Sequence, residues 1–481
     1  MRPRFPFLVV AIACAALARQ VPSQSDTKPR NPNLLVIQTD EHNFRTLGCY
    51  GGKIVTTPNI DRLAKEGVLC TSFYATTPVC SPSRGCLVSG RYPQHTPVVT
   101  NNIRLGDDIV TFAETLRRKG YATGFAGKWH LDGRGKPQWA PKRKFGFDDN
   151  RFMFNRGHWK KLIDGANGPA VGARLPGGKL SYALAGANDK TYTTDWLCDK
   201  AIQFIEKHKS GPFCYMLSLP DPHGPNTVRA PYAEMFAKVD APIPKSLRKT
   251  AAQTPKWAAA AKNLTPKRLR RLMRNYYGMV KCIDDNVGRV LQVLEKNDLL
   301  DNTIIVFTSD HGDLCGEHCR LNKGLPYEGS AKIPFLLRYP SKVPAGGVVD
   351  QALSCVDFLP TVLALMDVET AGKEEGRDAS ALLMGQKVDE WKDIAFLRGT
   401  PRMKWLCAVT DDYKLVYSPQ DVPWLFDLTK DPDELTNLFT SEMYREVARR
   451  MTRALRAYCD THKDPYGAID KIKVEMAKAS R

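Results

Sequence analysis

Four short, mainly apolar runs punctuate the chain, and each ends on side chains able to do chemistry. Residues 33–39 lead to Asp40, residues 121–126 to Lys128 and His130, residues 213–219 to Asp221 and His223, and residues 303–309 to Asp310 and His311. Runs of this length without polar alternation read as strands buried on both faces of a largely parallel sheet. Between them, residues 60–67, 109–119 and a longer stretch within 267–300 repeat apolar positions at helical spacing. Alternating strands and helices predict an α/β fold, a large, mostly parallel or mixed sheet flanked by helices on both faces. Ligands of such sheets bind beyond the carboxyl ends of the strands, which is where the pattern gathers the polar clusters.

The pattern weakens in two places and changes character in a third. Residues 145–187, rich in Gly, Arg and aromatic side chains, predict a long loop or insertion over the site. Residues 232–266, rich in Ala, Lys and Pro, predict a second irregular excursion. Beyond about residue 385, residues 414–417 and 424–428 read as antiparallel strands, 429–432 as a turn, and 441–461 as an amphipathic terminal helix. The expected organisation is a leader at 1–18, a main domain at 19–385 and a smaller α+β subdomain at 386–481. The leader reading rests on Arg2 and Arg4 ahead of an apolar core at 5–17, with Ala16-Leu17-Ala18 as a cleavage site. It implies export to the periplasm or the extracellular space. Its apolar core is too short to span a bilayer comfortably, and no later stretch reads as a membrane span.

Composition narrows the partners. With 70 Lys and Arg against 51 Asp and Glu, the net charge is +19. That balance suits acidic partners such as sulfated or phosphorylated polymers, with a solvated basic face as the equal alternative. No arginine-rich tract or zinc-finger spacing points to nucleic acid. Of thirteen cysteines, Cys14 leaves with the leader. Cys315 and Cys319 flank His318, a hint of a metal site that lacks a second matching pair; loop cysteines, disulfide-bonded elsewhere, are the stronger reading.

The run Cys80-Ser81-Pro82-Ser83-Arg84 carries the most chemistry. Pro82 fits the first turn of a helix, where its missing N–H costs nothing. Cys80 then lies near a helix N-terminus, whose free N–H groups favour anions, and Arg84 falls one turn on along the same face. The arrangement aims a reactive side chain at a small anion; a buried structural thiol is the alternative. A second run follows, Gly120-Tyr121-Ala122-Thr123-Gly124-Phe125-Ala126-Gly127-Lys128-Trp129-His130. Together the two runs resemble the signatures of the type I, formylglycine-dependent sulfatases of the alkaline phosphatase-like superfamily. The resemblance extends from about residue 33 to residue 438.

The resemblance implies that Cys80 is oxidised to formylglycine by a formylglycine-generating system and acts as a hydrated aldehyde. One hydroxyl of that diol attacks sulfur, the alcohol leaves, and the second hydroxyl expels sulfate by C–O cleavage. It further implies a divalent cation, Ca²⁺ with Mg²⁺ as the alternative, held by Asp40, Asp310, His311 and the modified Cys80. Many relatives have Asp where this chain has Glu41, which leaves Glu41 an open ligand, and many have Asn where His311 stands. By the same resemblance Arg84 stabilises the ionised diol, Lys128 and Lys323 grip sulfate oxygens, His130 assists the diol, and His223 protonates the leaving oxygen. Arg156, His158 and Trp159, in the irregular excursion, are candidates for contacting substrate, with an ordinary exposed loop as the alternative. The expected function is hydrolysis of a sulfuric ester, of a sulfated small molecule or carbohydrate. The rivals are a phosphonate or phosphodiester hydrolase of the same superfamily and a non-catalytic polyanion-binding protein.

Overall fold

The computed structural model describes residues 31–258 and 264–480; the expected leader lies outside the described residues. An eight-stranded sheet runs in the order Gly347–Val349, Val68–Cys70, Phe335–Arg338, Thr303–Ser309, Asn33–Asp40, Phe213–Pro222, Ala122–Lys128, Asp149–Phe154. The last five strands pair in parallel. Phe335–Arg338 runs antiparallel to both of its neighbours, which makes the sheet mixed.

Registry explains why the polar residues meet. Thr39 pairs with Ser309 on one side of the central strand, and Asp40 pairs with Pro222 on the other. The three strand ends are therefore level, and Asp40, Asp310 and the residues after Pro222 emerge at one edge. Alternate residues of the same strands feed two separate cores. Leu34, Val36, Met216 and Val306 pack with Leu87, Phe112 and Leu363. Leu35, Ile37, Leu217 and Phe307 pack with Leu63, Leu197 and Ile283. Both faces are covered, so both parities must be apolar, which is why these runs carry no alternation.

The first core is roofed by the helices Cys80–Ser89, Phe112–Arg118 and Phe358–Leu365, the second by Pro58–Lys65, Thr193–His208 and Pro266–Lys296. Their starts are written locally. Thr111 and Glu114 form a reciprocal capping box, and Thr265 caps the long helix ahead of Pro266 at its first position. Complete burial of one Leu or Ile is worth about 1.5–3 kcal/mol, so this two-sided packing holds the strand ends in a rigid frame.

Two segments differ from the sequence expectation. Residues 145–187 do not form a long loop throughout: Asp149–Phe154 is the edge strand of the main sheet, and Leu162–Gly165 and Gly168–Val171 make a hairpin. A register shift between Gly124 and Ala126, and an outer side left partly exposed, blur the apolar signal there. The C-terminal sheet has four strands, Ala395–Arg398, Leu406–Val409, Tyr413–Tyr417 and Trp424–Asp427, all antiparallel. The helix Arg445–Thr461 covers one face, and a further helix, Asp470–Ala479, follows it. Cys315 is a free thiol, so the expected disulfide is not made there. Cys315 and Cys319 join no three-ligand cluster among the described residues, and His318 between them stacks on Tyr327 at 3.4 Å. No helix among the described residues is long and apolar enough to cross a membrane.

Candidate active site

Cys80 opens the helix Cys80–Ser89 behind Val79, an extended N-cap with no capping side chain. The Ser81 N–H instead donates to Asn101 Oδ1 at 2.9 Å. Pro82 occupies the first turn, and left-handed Gly90 ends the helix. One turn on, the Arg84 guanidinium is held through all three nitrogens: Nε donates to Asp310 Oδ2 (2.8 Å), Nη2 to Asp40 Oδ2 (3.3 Å), and Nη1 to the Lys128 carbonyl and Ser218 Oγ (both 2.7 Å). Arg84 thus fixes the two carboxylates from below. Gly127 makes this possible: its φ is 110°, and a Cβ there would lie 1.8 Å from the Ser218 carbonyl oxygen.

Asp40, Cys80, Asp310 and His311 converge, with one donor atom from each within 4.8 Å of the others. His311 Nε2 lies 3.1 Å from Cys80 Sγ, 3.5 Å from Asp310 Oδ1 and 3.7 Å from Asp40 Oδ1. Its Nδ1 is hydrogen-bonded to the Gly312 carbonyl at 2.9 Å. Tying the far nitrogen to a carbonyl is the usual way to present the near one to a metal. The donor set fits a divalent cation, with two carboxylates and an oriented imidazole facing a common point beside Cys80. Glu41 is not in that set. Its backbone is left-handed, with φ 65°, and its carboxylate turns to Lys323 Nζ (3.0 Å) and His223 Nε2 (2.9 Å). Burial opposes its ionisation, but His223 and Lys323 outweigh burial and hold Glu41 down to about 2.

The cations lie around this floor. Lys128 Nζ pairs with Asp40 Oδ2 and His158 Nε2, the latter at 2.8 Å. Burial resists ionisation of the Cys80 thiol, yet Lys128, Lys323 and His311 hold it well below the ordinary thiol range against the opposing charge of Asp40. Burial opposes the charge on Lys323, but Glu41, Cys80 and Asp40 raise it, so it stays cationic. His130, also left-handed at φ 62°, pairs through Nε2 with Asn102 Oδ1 at 3.2 Å. Burial first, then Lys128, pushes His130 down to about 4, so it is neutral at pH 7.

His223 Nδ1 donates to the Gly224 carbonyl at 2.8 Å, which leaves Nε2, 2.7 Å from Lys323 Nζ, turned to the cluster. The His223 ring stacks on His158 at 3.5 Å. A buried pair supports this loop: Lys160 Nζ donates to Asp221 Oδ1 (2.5 Å) and to the His223 carbonyl (3.1 Å), and Thr194 Oγ1 donates to Asp221 Oδ2 (2.7 Å).

All the catalytic and metal candidates read from the sequence therefore come together. The excursion candidates divide. His158 is in the site. Trp159 is only 2% exposed and packs in the core beside Tyr182, while Arg156 turns to the Arg134 carbonyl; neither faces the cluster. Ser218, Asn101, Asn102 and Lys160 were missed. Ser218 sits inside a buried run and could have been flagged as a hydroxyl with no apolar role; the other three carry no sequence signal.

The comparisons decide the family. Residues 32–368 match the sulfatase family model, and residues 316–461 match that of the N-sulphoglucosamine sulphohydrolase C-terminal region. The chain belongs to the sulfatase family. This sulfatase is 28% identical to the N-acetylglucosamine-6-O-sulfatase of Bacteroides thetaiotaomicron, over 95% of this chain and 91% of that protein. It is 30% identical to an uncharacterized sulfatase of Escherichia coli, over 91% and 89%. Its fold matches a protein solved in complex with its substrate D-glucosamine-2-N,6-O-disulfate, with a TM-score of 0.75 and 25% identity over 90% of this chain and 99% of that one. It matches the phosphonate monoester hydrolase of Agrobacterium radiobacter almost as well, at 0.74 and 25%, over 90% and 96%. As a sulfatase the protein is a sulfuric-ester hydrolase, and its fold is alkaline phosphatase-like.

Proposed function

We propose that this sulfatase removes sulfate from a carbohydrate, using Cys80 as formylglycine and one divalent cation. The observation that carries the reading is the gathering of Cys80, Asp40, Asp310 and His311 in one cluster, with Lys128, Lys323 and His223 beside it. Asp40, Asp310, His311 and the modified Cys80 would hold the cation, Ca²⁺ or Mg²⁺, which supplies Lewis acidity and favours the ionised hydroxyl of the formylglycine diol. Arg84 holds both carboxylates in place through its guanidinium. Lys128 and Lys323 bind the sulfate oxygens and offset the charge that builds on them. His130, neutral and oriented by Asn102, takes a proton from Cys80's side chain. His223 Nε2 delivers a proton to the departing sugar oxygen, a poor leaving group as an alkoxide, while Glu41 balances His223 and Lys323. The positive net charge draws an anionic saccharide to the site. The carbohydrate reading is supported by relatives that act on or bind sulfated glucosamine. An N-terminal leader exporting the protein belongs to the same reading.

The test is a screen of defined sulfated mono- and oligosaccharides alongside aryl phosphodiesters, for the wild type and for Cys80→Ala. Desulfation of a saccharide that is lost in Cys80→Ala is the expected result. Phosphodiester turnover exceeding that of every sulfate ester would overturn the reading in favour of the hydrolase whose fold is shared.

A further inference from the structure

A second cluster of ligating side chains lies at the other end of the Cys80–Ser89 helix, ten residues and about 15 Å of rise from Cys80. His95 ends the short turn Pro93–His95, His462 caps the carboxyl end of Arg445–Thr461, and Glu375 comes from the segment between. His95 Nδ1 and His462 Nδ1 point at the same oxygen, Glu375 Oε1, at 2.6 and 3.3 Å. One donor atom from each residue lies within 4.8 Å of the other two.

The surroundings fix these three residues and leave the shared face open. The other carboxylate oxygen, Oε2, accepts the Tyr92 N–H at 3.0 Å, and the Glu375 N–H donates to the Gly90 carbonyl at 2.7 Å. The His462 ring packs on Tyr92 at 4.5 Å, and its carbonyl accepts from Gln94 Nε2 at 3.3 Å. The three side chains are 19–28% exposed, so an ion can enter without unfolding the site. None of the three takes part in the sulfatase chemistry described above.

We propose that His95, Glu375 and His462 form a separate, structural site for a first-row transition metal, with Zn²⁺ the best match. Two imidazole nitrogens and one carboxylate oxygen, with a fourth position left to water, are a zinc-type donor set. Ca²⁺ would prefer an all-oxygen cage, so the two clusters select different ions. Coordination replaces the two N–H···O contacts by metal–ligand bonds, each imidazole offering the lone pair of its Nδ1. Because the ligands come from the catalytic helix's exit, a mid-chain segment and the C-terminal helix, the ion clasps the C-terminal helix to the main sheet's helical layer. Zinc held by the folded chain and not by the unfolded one must raise its stability.

The test uses the full chain, stripped of metal and then kept in excess Ca²⁺, and titrated with Zn²⁺ by equilibrium dialysis and thermal unfolding. Wild type should bind one more zinc per chain than His462→Gln, Glu375→Gln or His95→Gln, and zinc should raise the Tm of wild type alone. Equal zinc stoichiometry and an equal Tm shift in any correctly folded variant would overturn the proposal and leave a hydrogen-bonded trio only. Co²⁺ substitution of the wild type gives a readout that needs no variant. Nitrogen- and oxygen-ligated cobalt should appear first, whereas thiolate-to-cobalt charge transfer as the sole signal would place the metal on the free cysteines and refute the site.

Discussion

The floor and the rim of the active site are built in different ways. The floor, Asp40, Cys80, Arg84, Asp310 and His311, hangs from strand ends and a helix start, and Arg84 and His311 are tied to it by several hydrogen bonds from rigid elements. The rim, Glu41, His158, His223 and Lys323, sits on loops, and its members hold one another through charge and a ring stack. A rigid floor can keep reacting atoms aligned, while a looser rim can adapt to the group that leaves. In the mechanism proposed above, bond-making falls to the floor and leaving-group handling to the rim.

Breaking the floor should have the largest effect. Cys80→Ala and Asp310→Asn should each lower kcat roughly 10⁴-fold or more, the scale seen when a covalent nucleophile or its partners are removed. Dialysis against chelator should do the same to the wild type, with Ca²⁺ or Mg²⁺ restoring activity. Full turnover in protein shown by elemental analysis to be metal-free would break the assignment of the floor.

Breaking the rim should discriminate between substrates. His223→Ala should cost about 10²–10⁴ in rate on a sugar sulfate and far less on an activated aryl sulfate, whose leaving oxygen needs no proton. Losses of the same size on both substrates would remove the acid role and make His223 a binding or packing residue.

The support of the rim can be tested through stability. Lys160→Met strips the buried Asp221 of its cation and should destabilise the fold by about 3–5 kcal/mol, read as a lower denaturation midpoint. The double variant Lys160→Met/Asp221→Leu should recover much of that loss; no recovery would mean the pair is not what holds the His223 loop. Glu41→Gln should have the smallest effect, about tenfold in kcat/KM, equivalent to about 1.4 kcal/mol, with metal content unchanged. Loss of bound metal in this variant would move Glu41 from the rim to the floor.

The same division governs what the sequence made legible. The positions of the floor could be read locally, because buried strands lead into Asp40 and Asp310 and Pro82 marks a first helical turn; its roles were implied by the resemblance to the sulfatases. The rim could be read only in part. His223 and Lys323 follow recognisable runs, but nothing near His158 tells that a hairpin and an edge strand carry it onto His223, while its neighbour Trp159 turns into the core. Long-range packing, here the Lys160–Asp221 pair and the register of Asp149–Phe154 on Ala122–Lys128, decides such placements and leaves no local pattern. The strands Ala395–Arg398 and Leu406–Val409 escaped for a related reason: they are short, and their neighbours complete their core.

The central claim is that the floor works through an oxidised Cys80. Mass spectrometry of the peptide spanning Cys80, taken from protein of measured specific activity, tests it most directly. The account predicts the aldehyde form in place of the thiol, in a fraction that rises in proportion to specific activity across preparations. A fully active preparation whose Cys80 is entirely the unmodified thiol would contradict it.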